Sequence, residues 1–514
     1  TIRYTLNNTE PTLTNGTTFV AGTPISVTTT TVIRARAFID GIGGPPAEAR
    51  YLFVDPAVQP DAAETYQLPV IVIDTLGTGA LGDFSGSTED PQRASLIALY
   101  TPDGTGKTVM SGVPSVLSRG ASHVRGQSSS TYKKQGLDLE LWDELGFDRS
   151  VPLLGMPADG DWALYAPYEF DRTYMNNRLA YEMAARMGRY APRTKFVEVY
   201  VNVDGGALTS ADYYGIFVLA ESIERGADRV DIAALNPTEN TGPGVTGGYI
   251  VSINKSNEAE QVIGAGLTYM RNMRQFTSDI TLTGGMTTFL DYPEISAVTP
   301  LQLSYIEGYL KSVEDAIYGA GFRHPVTNLP YSDYIGVDTF IDFHLAQTVP
   351  QNIDALRLST FFYKEKNGKL KAGPVWDFDR AMASRDSRNA SPGIWDTLST
   401  KDKTEYFHYG WWHRLFQDPD FMQLWIDRYT GLRRPGQLYD YAGSIAPLVD
   451  AFAAEVAPAG STVNATTRDY TRWPFGASGS GAGLSNARGT YAAEVTALKT
   501  WLLTRFNFMD SQIL

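Results

Sequence analysis

The sequence predicts an α+β protein in which strands come first and helices later. Residues 1 to about 55 alternate on a two-residue period, with Thr, Val and Ile dominant and Gly, Asn and Pro between the runs, which is the pattern of strands. Strands, with one helix among them, are expected to continue to about residue 295. Most longer segments from about residue 300 onward are typical of helices. A β-rich lobe followed by a helical lobe predicts a cleft between them, which is a favoured place for a ligand.

The composition excludes several classes of function. The 514 residues include no cysteine, which excludes disulfides, zinc–thiolate sites, iron–sulfur clusters and thiol nucleophiles. The formal net charge of −14 disfavours a nucleic-acid binder, which needs a basic face, and suits a protein that holds cations. No apolar run reaches the roughly 18 residues of a membrane span.

The chain divides by composition into three parts. Residues 1–55 predict a small and incomplete β-sandwich piece, and residues 56–67 are a linker rich in Pro, Ala and acidic residues. Residues 68–514 form the main domain, with a β-rich lobe to about residue 295. Because the chain begins inside a strand-like run, "TIRYTL", we expect a processed piece of a longer secreted polypeptide, located outside the cell or at its surface.

Two local elements are clearly marked. The segment 171–188 predicts a helix, with Leu179, Met183 and Met187 on one face and Gly188 as its C-cap. Farther on, "LSTFFYKEKNGKLKAGPVWDFD" predicts a hairpin around Asn367-Gly368. The five histidines show no metal-ligand spacing, and we expect packing for the aromatic segment "HYGWWH".

The candidate chemistry lies in two acidic motifs. Asp354 follows a helix, and Asp377 follows the hairpin 23 residues later, with Asp379 next to it. The hairpin is expected to bring these acids to one site. Adding Lys133 or Lys134 from a strand start, and the helix carboxylate Glu182, gives the set that phosphoryl transfer needs: a cation for the phosphates, its partner, a residue that positions the nucleophile, and metal ligands.

Each acidic candidate also has a plainer structural interpretation. Asp377 and Asp379 fit a turn cap or an ion pair with Arg380, and Asp354 fits a helix-terminating turn. Glu182 fits a solvent-facing helix position. The residues alone leave these alternatives open.

The basic candidates also have plainer structural interpretations. Lys133 and Lys134 fit solvated strand ends, and Arg125 fits an ion pair with an acidic neighbour. Strand parity places Lys133 on the face of Leu137 and Lys134 on the other face. The sequence does not say which face meets the cleft.

From about Leu68 to its end the chain resembles the CotH kinase-like family, the spore-coat H type of atypical protein kinase. The two most specific motifs, in this order and spacing, are "QNIDALRLSTFFYK" and "GPVWDFDRA". The other matching segments are "RGQSSSTYKK", "DWALYAPYEFDRTYMNNRLAYEMAARMG" and "YYGIFVLAESI". The resemblance implies a kinase-like fold that binds ATP with Mg²⁺ or Mn²⁺ between two lobes and phosphorylates hydroxyl groups of an extracellular protein.

The resemblance also assigns roles to residues. Asp354 is similar to the catalytic-loop aspartate and Asp377 to the metal-binding aspartate. Lys133 or Lys134 would hold the nucleotide phosphates. Glu221 lies in a strand that leads past the nucleotide in the family, and its pairing role against that of Glu182 stays open.

One departure from the family pattern concerns the metal. Kinase-type loops carry an Asn five residues after the aspartate, and here that position is Ser359. Asp379 or a water is the expected compensation. A Gly-rich phosphate loop is not evident, and "RGQSSS", which begins at Arg125, is at best a polar substitute. The alternative is therefore a catalytically degenerate relative, serving as a structural or adhesive surface protein with an assembly partner.

Residues 1–55 carry a second resemblance. The segments "IRYTLNNTEPT", "TPISV" and "TVIRARAF" are similar to the chitobiase/β-hexosaminidase C-terminal type of module. The resemblance implies a spacer or a carbohydrate-associated appendage.

Overall fold

The computed structural model describes residues 1–58, 66–82, 92–126, 129–254, 269–272, 287–294, 296–397, 404–461, 463–474 and 488–514. Helices and strands are both present, which confirms the α+β class. The chain divides into two compact units, each discontinuous in sequence. Unit 1 contains Thr1–Tyr168, Thr194–Ser222 and Phe452–Gly479, and unit 2 contains Glu169–Arg193, Ile223–Ala451 and Ser480–Leu514. The domain boundaries proposed from composition stay predictions.

The strands are β1 (Ile2–Thr5), β2 (Thr17–Thr18), β3 (Thr31–Ile39), β4 (Ile42–Tyr51), β5 (Val70–Asp74), β6 (Arg93–Tyr100), β7 (Val116–Val124), β8 (Leu137–Trp142), β9 (Asp161–Tyr165), β10 (Thr194–Asn202), β11 (Tyr213–Glu221), β12 (Tyr249–Asn254), β13 (Tyr269–Asn272), β14 (Thr287–Tyr292), β15 (Thr360–Lys364) and β16 (Leu370–Ala372). The helices are α1 (Asn176–Arg186), α2 (Pro300–Tyr318), α3 (Val337–Thr348), α4 (Gly410–Leu415), α5 (Pro419–Arg433), α6 (Ala446–Val456), α7 (Ala465–Arg472) and α8 (Tyr491–Ile513).

Unit 1 is built on a closed barrel of seven strands, in the order β10-β11-β9-β8-β7-β6-β5. The β5–β10 pair is parallel and the other pairs are antiparallel. Apolar side chains alternate into the interior, as in β8, where Leu137, Leu139 and Leu141 are buried between half-buried neighbours. Closure leaves these strands without a free sheet edge. The sequence analysis predicted the strands but not the barrel.

The N-terminal strands of unit 1 form an antiparallel sheet in the order β2-β1-β3-β4. A buried carboxylate joins this sheet to the barrel. Glu48 of β4, with its side chain 1% exposed, forms ion pairs with Arg34 of β3 at 3.1 Å and with Arg119 of β7 at 3.0 Å. Because one buried acid is shared by both sheets, this N-terminal sheet is part of unit 1.

Unit 2 contains a five-stranded sheet, in the order β13-β14-β12-β15-β16, together with most of the helices. The predicted hairpin is confirmed: β15 and β16 pair antiparallel, and Asn367 takes a φ of 54° in the turn. The predicted early helix is also confirmed, although it begins at Asn176. Its apolar face is buried, and Gly188 follows it with a φ of 88°.

The helices of unit 2 surround a buried aromatic cluster. His344 of α3 lies inside it, donates from Nε2 to Tyr406 O at 2.9 Å and accepts at Nδ1 from Trp425 Nε1 at 3.1 Å. Burial lowers the pKa of His344 to about 3, so the imidazole is neutral near pH 7. Aromatic packing in the "HYGWWH" segment is confirmed by the burial of Trp411 and Trp412. Among the described helices, none combines the length and apolar character that a membrane crossing requires.

A like-charged pair is built into the barrel of unit 1. Asp161 of β9 lies directly opposite Glu140 of β8. Burial, and then the charges of Glu140, Asp148 and Asp159, raise the pKa of Asp161 to about 7. Ionising Asp161 in the folded state therefore costs stability.

We expect the variant Asp161→Asn to have a higher Tm than wild type at pH 8 and an equal Tm near pH 4. The folded-state pKa of Asp161, about 7, lies above its ordinary value of 3.8, so the folded protein loses stability as pH rises from about 4 to about 7. Asparagine removes this loss. Calorimetric unfolding of both proteins across this range checks the expectation, and a parallel pH dependence of the two Tm values would contradict it.

Candidate functional site

The two acidic motifs lie side by side in unit 2. The β15–β16 hairpin returns the chain from the Asp354 turn to the loop that follows β16. Asn352 Nδ2 donates a hydrogen bond to Asp377 O at 3.2 Å, and Ser359 Oγ donates to Asp377 Oδ2 at 3.4 Å. Hydrogen bonds thus connect both ends of the hairpin, while the catalytic and metal-binding roles of these acids stay predictions.

Residues 377–381, hereafter the acidic loop, are held by the first residues of α1. Asn177 Oδ1 accepts a hydrogen bond from Phe378 N–H at 2.6 Å. Asn176 Nδ2 donates to Ala381 O at 2.9 Å. Both asparagines are buried, at 3% and 2% exposure, so water does not compete for these bonds. The start of α1 therefore fixes the backbone path of the acidic loop.

Asp377 itself has an unusual backbone conformation. Its φ is 63°, in the left-handed region that few residues other than Gly adopt, although Asp tolerates it better than most. Its N–H donates to Tyr181 Oη at 3.2 Å, and the Tyr181 ring stacks on Trp376 with the centroids 5.8 Å apart. The aromatic pair and this hydrogen bond hold the conformation that presents the Asp377 carboxylate.

Asp171 forms hydrogen bonds at the start of α1. Its buried carboxylate accepts hydrogen bonds from Asn176 N–H at 2.9 Å and from the Thr173 N–H and hydroxyl at 2.9 and 2.8 Å. Burial raises the pKa of Asp171 to about 6, although these hydrogen bonds work in the opposite direction. Asp171 thus satisfies the N–H of Asn176, one of the groups that the first turn of a helix leaves without an intrahelical partner.

The electrostatic surroundings of Asp379 in the acidic loop perturb its carboxyl group. Burial, followed by the charge of Asp377, holds the pKa of Asp379 well above its ordinary value. Asp354 and Asp171 act in the same direction, and Arg380 opposes them. Because three other carboxylates act on Asp379, this residue favours binding a proton or a cation.

Asp354 has a partner of its own. Its Oδ1 lies 2.9 Å from Arg357 Nη2, and the two side chains are 18% and 14% exposed. The same Arg357 nitrogen donates to Ile353 O at 2.9 Å. The Asp354 carboxylate is therefore positioned by a cation on its own turn, which fits both the turn role and the catalytic role predicted for it.

Ser359 occupies the position at which the kinase pattern has Asn. Its φ is 47°, and its N–H donates to Asn254 Oδ1 at 3.2 Å. Asn254 ends β12, so it places an amide oxygen beside Ser359 that the chain order did not suggest. Asn254 is thus a second polar group at this position, although its oxygen already accepts the Ser359 N–H.

The acids fit a divalent cation that brings part of its own ligand set. Among the residues that the structure describes, Asp354, Asp377 and Asp379 do not present three carboxylate oxygens within 4.8 Å of one another. Magnesium is commonly held by one or two carboxylates together with substrate phosphates and water. Asp377 and Asp379 suit this open type of site better than a closed protein cage.

Lys134 forms a buried ion pair in unit 1. Its Nζ lies 2.7 Å from Asp469 Oδ1 of α7, and both side chains are 0% exposed. The amine also donates to Ile216 O at 2.6 Å and to Pro167 O at 3.4 Å. An ammonium group has three N–H donors, so these acceptors use its full capacity.

The Lys134 pair depends on a glycine. Gly215 has a φ of 116°, and a Cβ atom there would lie 2.3 Å from Asp469 Oδ1 and 2.9 Å from Lys134 Nζ. By contrast, Lys133 is exposed. Phosphate binding by Lys133 or Lys134 stays a prediction, and Lys134 would have to leave its present partners to do so.

The other predicted residues are Arg125, Glu182 and Glu221. Arg125 Nη1 lies 3.2 Å from Asp138 Oδ1, and Glu182 pairs with Arg186 on the exposed face of α1 at 2.7 Å. Glu221 is fully buried at the end of β11. Their nucleotide-binding roles stay predictions. Residues 127–128 of the "RGQSSS" segment lie outside the described residues.

Comparison with known protein families decides the family of this chain. A family model described as CotH kinase protein matches residues 123–509. The chain belongs to the CotH kinase family. No curated protein matches the chain. The family match includes every candidate residue of this CotH chain and leaves out the N-terminal sheet.

Sequence reasoning missed the residues that hold the acids in place. Asn176, Asn177 and Asn254 contact the motifs from distant parts of the chain. Asn176 and Asn177 lie in the family-like segment "DRTYMNNRLAYEMAARMG", but their contacts with the acidic loop were not predicted. Asp469 was also missed. A capping box, in which Asn464 and Thr467 exchange hydrogen bonds, marks the start of the short helix that contains Asp469. It does not indicate that Asp469 pairs with a lysine.

We expect Asn177→Ala to loosen the acidic loop. The substitution leaves the Phe378 N–H without its buried acceptor, which costs about 1–3 kcal/mol. Hydrogen exchange at residues 377–381 should become faster. The control Glu182→Ala changes an exposed residue of the same helix and should leave this exchange unchanged, and equal rates in Asn177→Ala and wild type would contradict the assignment.

We expect Asp469→Leu to destabilise unit 1 by about 3–5 kcal/mol, because it leaves the Lys134 charge buried without its carboxylate. The double variant Lys134→Met/Asp469→Leu removes both charges and should recover a large part of this loss. Denaturant unfolding of the two variants measures the coupling. Additive losses would show that the two side chains do not act as a pair.

Proposed function

We propose that this chain is an atypical protein kinase that transfers the γ-phosphate of ATP to a hydroxyl group of a protein. The observation that supports it most is the crowding of Asp354, Asp377 and Asp379, which together with burial raises the pKa of Asp379. Such a concentration of carboxylates suits Mg²⁺ or Mn²⁺ bound together with nucleotide phosphates. Family membership favours phosphoryl transfer over other metal-dependent reactions.

In this proposal the residues of the site have separate roles. Asp377 and Asp379 hold the divalent ion, which neutralises phosphate charge, and Ser359 orients Asp377 through its hydroxyl. Asp354 accepts the proton of the substrate hydroxyl, whose oxygen forms the new bond to the γ-phosphorus. The bond from that phosphorus to the β–γ bridging oxygen breaks, and ADP leaves with the electron pair. Asn176 and Asn177 keep the acidic loop in position.

A second candidate function is a structural or adhesive one, in which the family fold is retained without catalysis. Two observations favour it. Ser359 stands where kinases have a metal-binding Asn, and the Lys134 amine is already saturated by protein acceptors. Secretion, and a chitobiase-like character for residues 1–55, belong to either proposal.

Phosphate transfer from labelled ATP to protein substrates, with Mg²⁺ or Mn²⁺, tests the first proposal. We expect incorporation by wild type, and loss of incorporation in Asp377→Ala because a metal ligand is removed. Asp354→Asn should lower the rate by about 10²–10⁴-fold, the usual contribution of a general base. The control Asp450→Ala removes an acid that pairs with Lys499 on the surface of unit 2 and should leave the rate unchanged.

A thermal shift with nucleotide separates the two candidates. Nucleotide at a hundredfold excess over its Kd stabilises the folded state by about 2.7 kcal/mol. A metal-dependent shift in wild type that Asp377→Ala lacks would support the kinase. Absence of a shift with any divalent ion would favour the structural function.

A further inference from the structure

Unit 2 contains a pocket of about 920 Å³ that shares no lining residue with the acidic loop. Its wall includes the start of α3, part of α5 and the chain around β16. The wall includes the charged side chains of Arg189, Arg428, Lys369 and Lys371 and the apolar side chains of Ile341 and Leu424. This volume is far larger than a single inorganic anion needs, and suits a side chain with part of its backbone.

Two arginines of the pocket are held by one buried aspartate. Asp342, with its side chain 2% exposed, accepts from Arg189 Nε at 2.8 Å and from Arg428 Nε at 2.7 Å. Asp338 accepts from Arg189 Nη2 at 2.7 Å, and Met187 O accepts from Arg428 Nη2 at 3.0 Å. The guanidinium groups are therefore fixed in orientation before any ligand arrives.

Both arginines retain hydrogen-bonding capacity that faces solvent. Within the described ranges no protein acceptor bonds to Nη1 of Arg189 or of Arg428. Their side chains are 29% and 38% exposed, so a ligand can reach them. A fixed guanidinium with free N–H groups is the preferred partner of carboxylate and phosphate oxygens.

The charge of the pocket points to an anion as well. Four cations line it against three carboxylates, Asp338, Asp342 and Asp427, whereas the whole chain carries a net charge of −14. Lys369 donates to Ser332 O at 2.6 Å, which holds its amine at the rim. Ile341 and Leu424 add apolar wall, and Leu424 is 51% exposed. The pocket thus combines a positive region with an apolar one.

We propose that this pocket binds an oxyanion-bearing side chain of a protein partner, phosphorylated or carboxylate, together with an adjacent apolar residue. The fixed arginines and the lysines receive the oxyanion, and the apolar wall receives the neighbouring side chain. This proposal does not depend on phosphoryl transfer at the acidic loop. If the chain is a kinase, the pocket recognises acidic or already phosphorylated segments of its substrates.

Fluorescence anisotropy tests the proposal with three labelled peptides. They share one sequence with a leucine, and carry phosphoserine, glutamate or serine at two positions. We expect the phosphoserine peptide to bind, and the serine peptide to bind at least about tenfold more weakly because it lacks the charge-assisted hydrogen bonds to the arginines and lysines. The glutamate peptide binds as well if the pocket accepts any oxyanion. If the phosphoserine peptide is the only one of the three that binds, the pocket recognises a phosphate group. If both anionic peptides bind equally, the pocket accepts any oxyanion.

The variant Lys369→Gln/Lys371→Gln should weaken binding of the anionic peptide about tenfold, while Lys499→Gln, a surface lysine of the same unit outside the pocket, should not. The lysines are chosen because changes at Arg189 or Arg428 would unpair the buried Asp342. Asp377→Ala should bind the peptides as wild type does, which separates this test from the kinase proposal. Equal binding of the serine peptide, equal affinity for inorganic phosphate, or an unaffected lysine variant would overturn the proposal.

Discussion

Electrostatic repulsion among a few carboxylates is the constraint on which the candidate site depends. Burial and the charges of Asp377, Asp354 and Asp171 raise the cost of ionising Asp379. Left to itself, a loop carrying such charges would move them apart. The chain opposes this with neutral amide side chains on buried backbone groups, because a neutral hydrogen bond positions a loop without cancelling its charge. The acids thus keep their affinity for a cation.

The position of the acids depends on the start of α1. Asp171 completes the first turn of α1, that turn presents Asn176 and Asn177, and the asparagines fix the backbone of the acidic loop. Tyr181, one turn farther along the same helix, supports the left-handed residue at the beginning of the loop. A short helix therefore serves as the support of the site, although it contributes no acid that would touch a metal.

What could be predicted from the sequence was the local part of the structure. The β15–β16 hairpin follows from an Asn-Gly turn between two patterned runs, and it brings Asp354 near Asp377 because hairpin partners are close in the chain. Contacts across long stretches were not predictable in this way. Lys134 meets Asp469 over 335 residues, and the barrel closes through the parallel β5–β10 pair. Such contacts depend on the packing of whole elements, which no single segment encodes.

The shared position of Glu48 between two sheets has a mechanical consequence. Tension applied to the N-terminal strands would be transmitted to the barrel, because Glu48 forms ion pairs with Arg34 on one side and with Arg119 of the barrel on the other. Breaking these ion pairs would expose one carboxylate and two guanidinium groups together, so the force would pass to β7. The buried ion pairs of Glu48 thus connect the N-terminal sheet to the barrel, and an applied force would have to break them to separate the two.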